Sequence, residues 1–139
     1  MQQPSRNNQE IQLLNGAALA YVGDAVYELA VRQHVIHAGK TQANQLHRAA
    51  IHYVSAIKQA QVMRAWLQED GLLTSEEIQI YKRGRNHKAN TKAKNASIGD
   101  YRQATGFEAL IGWLALTGQD QRAQTLIQHA IEDLDQEEE

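Results

Sequence analysis

Leu19-Ala20-Tyr21-Val22-Gly23-Asp24-Ala25-Val26-Tyr27-Glu28 reads as an apolar helix carrying an aspartate where pattern alone would place something blander. Leu19, Val22, Val26, Leu29 and Ala30 recur at helical spacing, which predicts a stripe turned toward a core. Asp24 lies beside that stripe, and Glu28 follows one turn on, facing the same way. Such a pair by itself reads as solvated carboxylates on an exposed face. A second apolar helix shifts the balance: Ala104-Thr105-Gly106-Phe107-Glu108-Ala109-Leu110-Ile111-Gly112-Trp113 carries Glu108 in a similar setting. Each acid has a glycine nearby, Gly23 beside Asp24 and Gly112 one turn after Glu108. Glycine lowers helix stability, so inside a helix it marks close backbone approach. Two helices crossing at those glycines would bring Asp24 and Glu108 around one metal ion.

The frame around these helices is narrow. A chain of 139 residues with 42% apolar content predicts one domain with a real core. Its single proline, Pro4, precedes the periodic region, and β-branched runs are few, so the class is all-α. Cysteine is absent, which excludes disulfides, thiolate zinc sites and cysteine nucleophiles. No basic-then-apolar leader opens the chain and no apolar run reaches the roughly 18 residues of a membrane span, so a cytoplasmic protein with no membrane partner is expected.

Local signals divide the chain further. Residues 1–9 read as a frayed tail, 10–134 as the folded domain and 135–139 as an acidic tail. Asn15 is the expected N-cap of a helix running to about His37 and stopped by Gly39. Thr41 is expected to cap the next helix, and Ser55 to break it and cap another with Ile57, Val62, Trp66 and Leu67 inward. Thr74-Ser75-Glu76-Glu77 is a capping-box pattern for a short helix ending near Gly84. Ser97 with Asp100 opens the helix that carries Glu108, and Gly118 ends it. The last helix turns Ala123, Leu126, Ile127, Ala130, Ile131 and Leu134 to one side.

Charge is segregated although the net charge is only −2. Six of the 14 basic residues fall within Lys82 to Lys94, with no acid between Ile78 and Gly99. With almost no apolar anchor, this stretch is expected to be an exposed, mobile loop. Lys82, Arg83, Arg85, Lys88, Lys92 and Lys94 suit phosphate contact, and Asn86 and His87 suit hydrogen bonds to ribose hydroxyls in the shallow groove of A-form RNA. Asp24 and Glu108, as hard oxygen ligands on rigid helices, suit Mg²⁺. A buried acid paired with Arg32 or Arg102 is the structural alternative, and Glu28 is either an outer contact of the site or plain surface. The six histidines show no metalloprotease spacing, and Trp66 and Trp113 read as core.

At these residues the chain resembles a known family. Tyr21-Val22-Gly23-Asp24-Ala25-Val26 is similar to the signature helix of ribonuclease III, and Phe107-Glu108-Ala109-Leu110-Ile111-Gly112 to its second acidic motif. Together in so short a chain they most resemble the Mini-III ribonucleases, from about Leu14 to the last helix. Full-length ribonuclease III has glutamates where this chain has Ala17 and Ala20, and an aspartate where it has Thr105; Mini-III enzymes share those losses. The resemblance implies a single all-α ribonuclease III-like endonuclease domain without a separate RNA-binding domain. It further implies Asp24 and Glu108 as metal-binding catalytic acids, Mg²⁺ (with Mn²⁺ as substitute) as cofactor, and a homodimer cutting both strands of double-stranded RNA. Products would carry 5′-phosphate and 3′-hydroxyl ends. The family's role, maturation of the large-subunit ribosomal RNA precursor with help from a ribosomal protein, is implied in the same way. A catalytically silent RNA-binding or ribosome-associated protein of this fold is the alternative, and a helical protein-interaction module a third.

Overall fold

Helices account for every regular element in the computed structural model, which describes residues 8–87 and 97–137. They are α1 (Asn8–Gln12), α2 (Gly16–His37), α3 (Ala43–Val54), α4 (Ala56–Gln68), α5 (Ser75–Arg85), α6 (Ile98–Leu116) and α7 (Asp120–Gln136). Side-chain caps stand at four of the starts. Asn15 accepts from the Ala18 amide at 2.8 Å, Ser55 from Lys58 at 3.3 Å and Ser97 from Asp100 at 3.0 Å. Thr74 and Glu77 bond reciprocally, closing the capping box of α5. Thr41 does not cap α3; Gln42 precedes that helix and makes no side-chain capping bond.

α2 and α6 cross at the glycines. A Cβ on Gly23 would lie 1.7 Å from the Glu108 carbonyl oxygen, and one on Gly112 would lie 1.9 Å from that of Leu19. Leu19 thus faces Gly112 while Gly23 faces Glu108, so the two helices run in opposite senses through the contact. This crossing turns α2 away from the expected orientation. Leu19, Ala20, Gly23, Tyr27, Val31 and Val35 are buried; Val22, Val26 and Ala30 are only half-buried, and Leu29 is 59% exposed. Tyr27 meets the ring of Phe107 edge-on with centroids 4.9 Å apart, and Trp66 lies 5.3 Å from the same ring. On α4, Val62 and Trp66 point inward as expected, whereas Ile57 and Leu67 are exposed and Gln59, Ala60 and Met63 take the inner face.

α7 closes the core with all six of its expected apolar residues. Its first turn is tied down by Arg122, which donates to both carboxylate oxygens of Glu77 at 2.8 and 2.9 Å and to the Leu72 carbonyl at 2.6 Å. Burial alone would raise the Glu77 pKa, but Arg122 and the Thr74 bonds hold it below the ordinary carboxylate value. α5 ends at Arg85, close to the expected Gly84, so the start of the basic stretch, Lys82, Arg83 and Arg85, forms its last turn rather than a loop. Positive charge is favourable at a helix C-terminus, and Gly84 seats that turn against Thr105 and Ala109 of α6. Lys88, Lys92 and Lys94 lie outside the described residues. Among the described residues, no helix is long and apolar enough to cross a membrane.

Candidate active site

Asp24 and Glu108 sit on either side of the glycine crossing, which is why they meet. Gly23 places the α2 backbone directly on that of Glu108, so the neighbouring Asp24 side chain comes within hydrogen-bonding reach of the Glu108 carboxyl. Asp24 is exposed and Glu108 half-buried.

The electrostatics of Glu108 follow from that placement. Burial pushes its pKa up first, the charge of Asp24 and a shared hydrogen bond push it further, and Glu28 adds a smaller repulsion; it reaches about 8. Gln59 opposes the shift, donating from Nε2 to Glu108 Oε2 at 3.5 Å. Among the described residues, no cation acts on Glu108. Arg32, a possible partner by sequence, instead lies 3.2 Å from Glu28 on its own helix.

A divalent cation fits this arrangement. Two hard oxygen donors converge on rigid helices, and their mutual repulsion is relieved by either a proton or a cation. Among the described residues no three His, Cys, Asp or Glu side chains gather around a point. A pair suits an ion that keeps several of its own waters, as Mg²⁺ does.

Gln59 had no signal in the sequence. It falls within an amphipathic helix, 49 residues before Glu108, and only the packed structure brings the two together.

The expected phosphate-binding residues gather elsewhere, at the end of α5. Lys82, Arg83, Asn86 and His87 line an open groove of about 500 Å³ together with Asn15, Gly16 and Gln79. The Arg83 guanidinium donates to the carbonyls of Gln12 and Leu14, tying α5 to the segment before α2. Arg85 lies over the Tyr81 ring at 5.5 Å and donates to Asn86 Oδ1 at 3.1 Å.

Comparison with known proteins shows the family. The Ribonuclease III domain family matches residues 17–119, a span that includes both acids. A Mini-ribonuclease 3 of Enterococcus faecalis is 54% identical over 118 residues, covering 85% of this chain and 89% of that protein. One from Streptococcus pneumoniae is 46% identical over 123 residues, covering 88% and 95%. A crystal structure of a Fusobacterium nucleatum protein superposes with a TM-score of 0.78 at 27% identity, covering 89% of this chain and 97% of that one.

Proposed function

Because the chain belongs to the ribonuclease III family and is an endoribonuclease of the Mini-ribonuclease 3 kind, we propose that Asp24 and Glu108 are its catalytic acids and hold Mg²⁺. The single observation that carries this reading is the meeting of the two carboxylates across the Gly23–Gly112 crossing. Divalent-metal dependence is general in this family; Mg²⁺ is the species that a two-carboxylate, water-rich site suits, with Mn²⁺ as a substitute.

When bound, the ion supplies charge relief at the phosphoryl oxygens and a water activated for attack. The protein's own part is to hold two ionised carboxylates at a fixed separation, with Glu108 surrendering its proton as the cation arrives. Cleavage then adds water across the phosphodiester, leaving a 5′-phosphate and a 3′-hydroxyl.

The family acts on double-stranded RNA and typically dimerises. In this reading a homodimer presents one Asp24–Glu108 pair to each strand. Lys82, Arg83, Arg85, Asn86 and His87 at the end of α5, continued by Lys88, Lys92 and Lys94, grip phosphates and riboses. The domain is read as 10–134, with α1 and α7 reaching past those bounds to Asn8 and Gln136; the natural duplex is the large-subunit ribosomal RNA precursor, cut in the cytoplasm with help from a ribosomal protein.

The test is substitution at nearly constant volume. Asp24→Asn and Glu108→Gln are each expected to stay folded and bind duplex RNA, yet lose most cleavage. The double variant should be little worse than either, because residues acting as one unit are strongly non-additive. Full cleavage by folded Asp24→Asn would end the assignment, and multiplicative losses would show that the acids act separately.

A further inference from the structure

Two polar residues are fully buried among the described core, Glu77 and Gln59. Glu77 is accounted for by its capping box and by Arg122. Gln59 is not accounted for by stability. It is 2% exposed on α4, and its Oε1 has no hydrogen-bond partner among the described residues. An apolar residue of the same size would avoid that unmet acceptor.

Its amide nitrogen, in contrast, is committed twice, to the Val54 carbonyl at 3.1 Å and to Glu108 Oε2 at 3.5 Å. The Val54 contact decides which way the amide points. A carbonyl oxygen can only accept, so turning the amide over would set oxygen against oxygen. The end presented to Glu108 is therefore N–H, a donor matched to a carboxyl oxygen. A lysine or arginine there would orient Glu108 too, but its charge would compete with a cation for the same oxygens. A neutral amide orients the carboxylate and leaves its full negative charge available.

We infer that Gln59 is a positioning residue for Glu108: pinned by the Val54 carbonyl, its amide holds the carboxyl group aimed toward Asp24 for the divalent cation. This rests on the reading of Asp24 and Glu108 as the metal-binding pair. The contact to Glu108 lies at the long end of hydrogen-bonding reach, and such contacts tighten when the complete site assembles.

The experiment uses the whole protein, with Mg²⁺ as the probe. In ¹⁵N-labelled wild type, the Gln59 side-chain amide signal is expected to shift as Mg²⁺ is added. Gln59→Met, close in volume and without a donor, should bind Mg²⁺ about 10- to 100-fold more weakly by calorimetry without RNA. At fixed Mg²⁺ its kcat should fall while KM for duplex RNA holds, and raising Mg²⁺ should restore turnover. Asp24→Asn is the control for the underlying pair. If Asp24→Asn loses Mg²⁺ while folded Gln59→Met binds it like wild type, the role of Gln59 is overturned and the pair stands. If Asp24→Asn also binds Mg²⁺ normally, the pair itself is overturned. If Gln59→Met fails to fold, the amide signal decides: one indifferent to Mg²⁺ reduces Gln59 to a cap on Val54.

Discussion

At Glu108 the burial that stiffens the helix crossing also makes ionisation unfavourable, and this gives the metal-free protein a particular pH dependence. Its carboxyl titrates near 8 in the folded chain against an ordinary value of 4.5. The folded state therefore holds the proton more tightly than the unfolded state does. Stability from this group is fully present below about pH 4.5 and is lost as pH rises toward 8. Thermal melting of metal-free wild type is expected to fall across that window relative to Glu108→Gln, which cannot ionise. Mg²⁺ should reverse the fall, releasing protons as it binds, and proton release measured in two buffers checks the coupling. Equal pH dependence in wild type and Glu108→Gln would remove Glu108 as its source.

The pair of helices α2 and α6 sets the distance between the acids, and glycine sets the distance between the helices. Gly112→Ala adds one methyl group at a point 1.9 Å from the Leu19 carbonyl oxygen. Alanine in place of glycine gains about 1 kcal/mol of helix propensity. The backbone it meets cannot swing aside, and overpacking of this kind costs about 1 to 3 kcal/mol. The helices must separate, moving Asp24 away from Glu108. Gly112→Ala is thus expected to melt earlier and to lose Mg²⁺ affinity and cleavage at temperatures where it is still folded. Melting followed by circular dichroism, with Mg²⁺ calorimetry below the transition, checks both effects. A variant as stable and as active as wild type would contradict the crossing geometry.

For the whole molecule, the outer side of α2 is left with large apolar residues: Tyr21 is 83% exposed, Leu29 59% and Ile36 49%. They recur near multiples of the helical repeat, opposite the buried Leu19, Gly23 and Tyr27. An apolar stripe on the helix that carries Asp24 is a surface that a second copy would cover. Leu29→Lys is expected to shift sedimentation from dimer toward monomer at micromolar concentration, with the monomer's helical content unchanged. Cleavage of both strands should become concentration-dependent in step with it. An unaltered dimer would place the interface elsewhere.

Sequence alone determined what depends on neighbours along the chain. Asn15, Ser55, Thr74 and Ser97 cap their helices because capping spans only three residues, and the inner face of α7 follows directly from its period. Glycine spacing beside Asp24 and Glu108 was legible for the same reason, as an unfavourable local choice that only close packing explains. The orientation of α2 was not legible. Its buried face runs through Gly23, which adds nothing to a hydropathy pattern, so Leu29 looked internal until the crossing turned it outward. The end of α5 near Gly84 was legible, but charge made Lys82, Arg83 and Arg85 read as the start of one exposed loop, whereas the packing of Gly84 on α6 keeps them in the last turn of the helix. Gln59 reaches Glu108 across 49 residues of chain, and Arg122 reaches Glu77 across 45. Contacts of that range have no local signal: they form only when separate helices pack, and only the tertiary structure decided them.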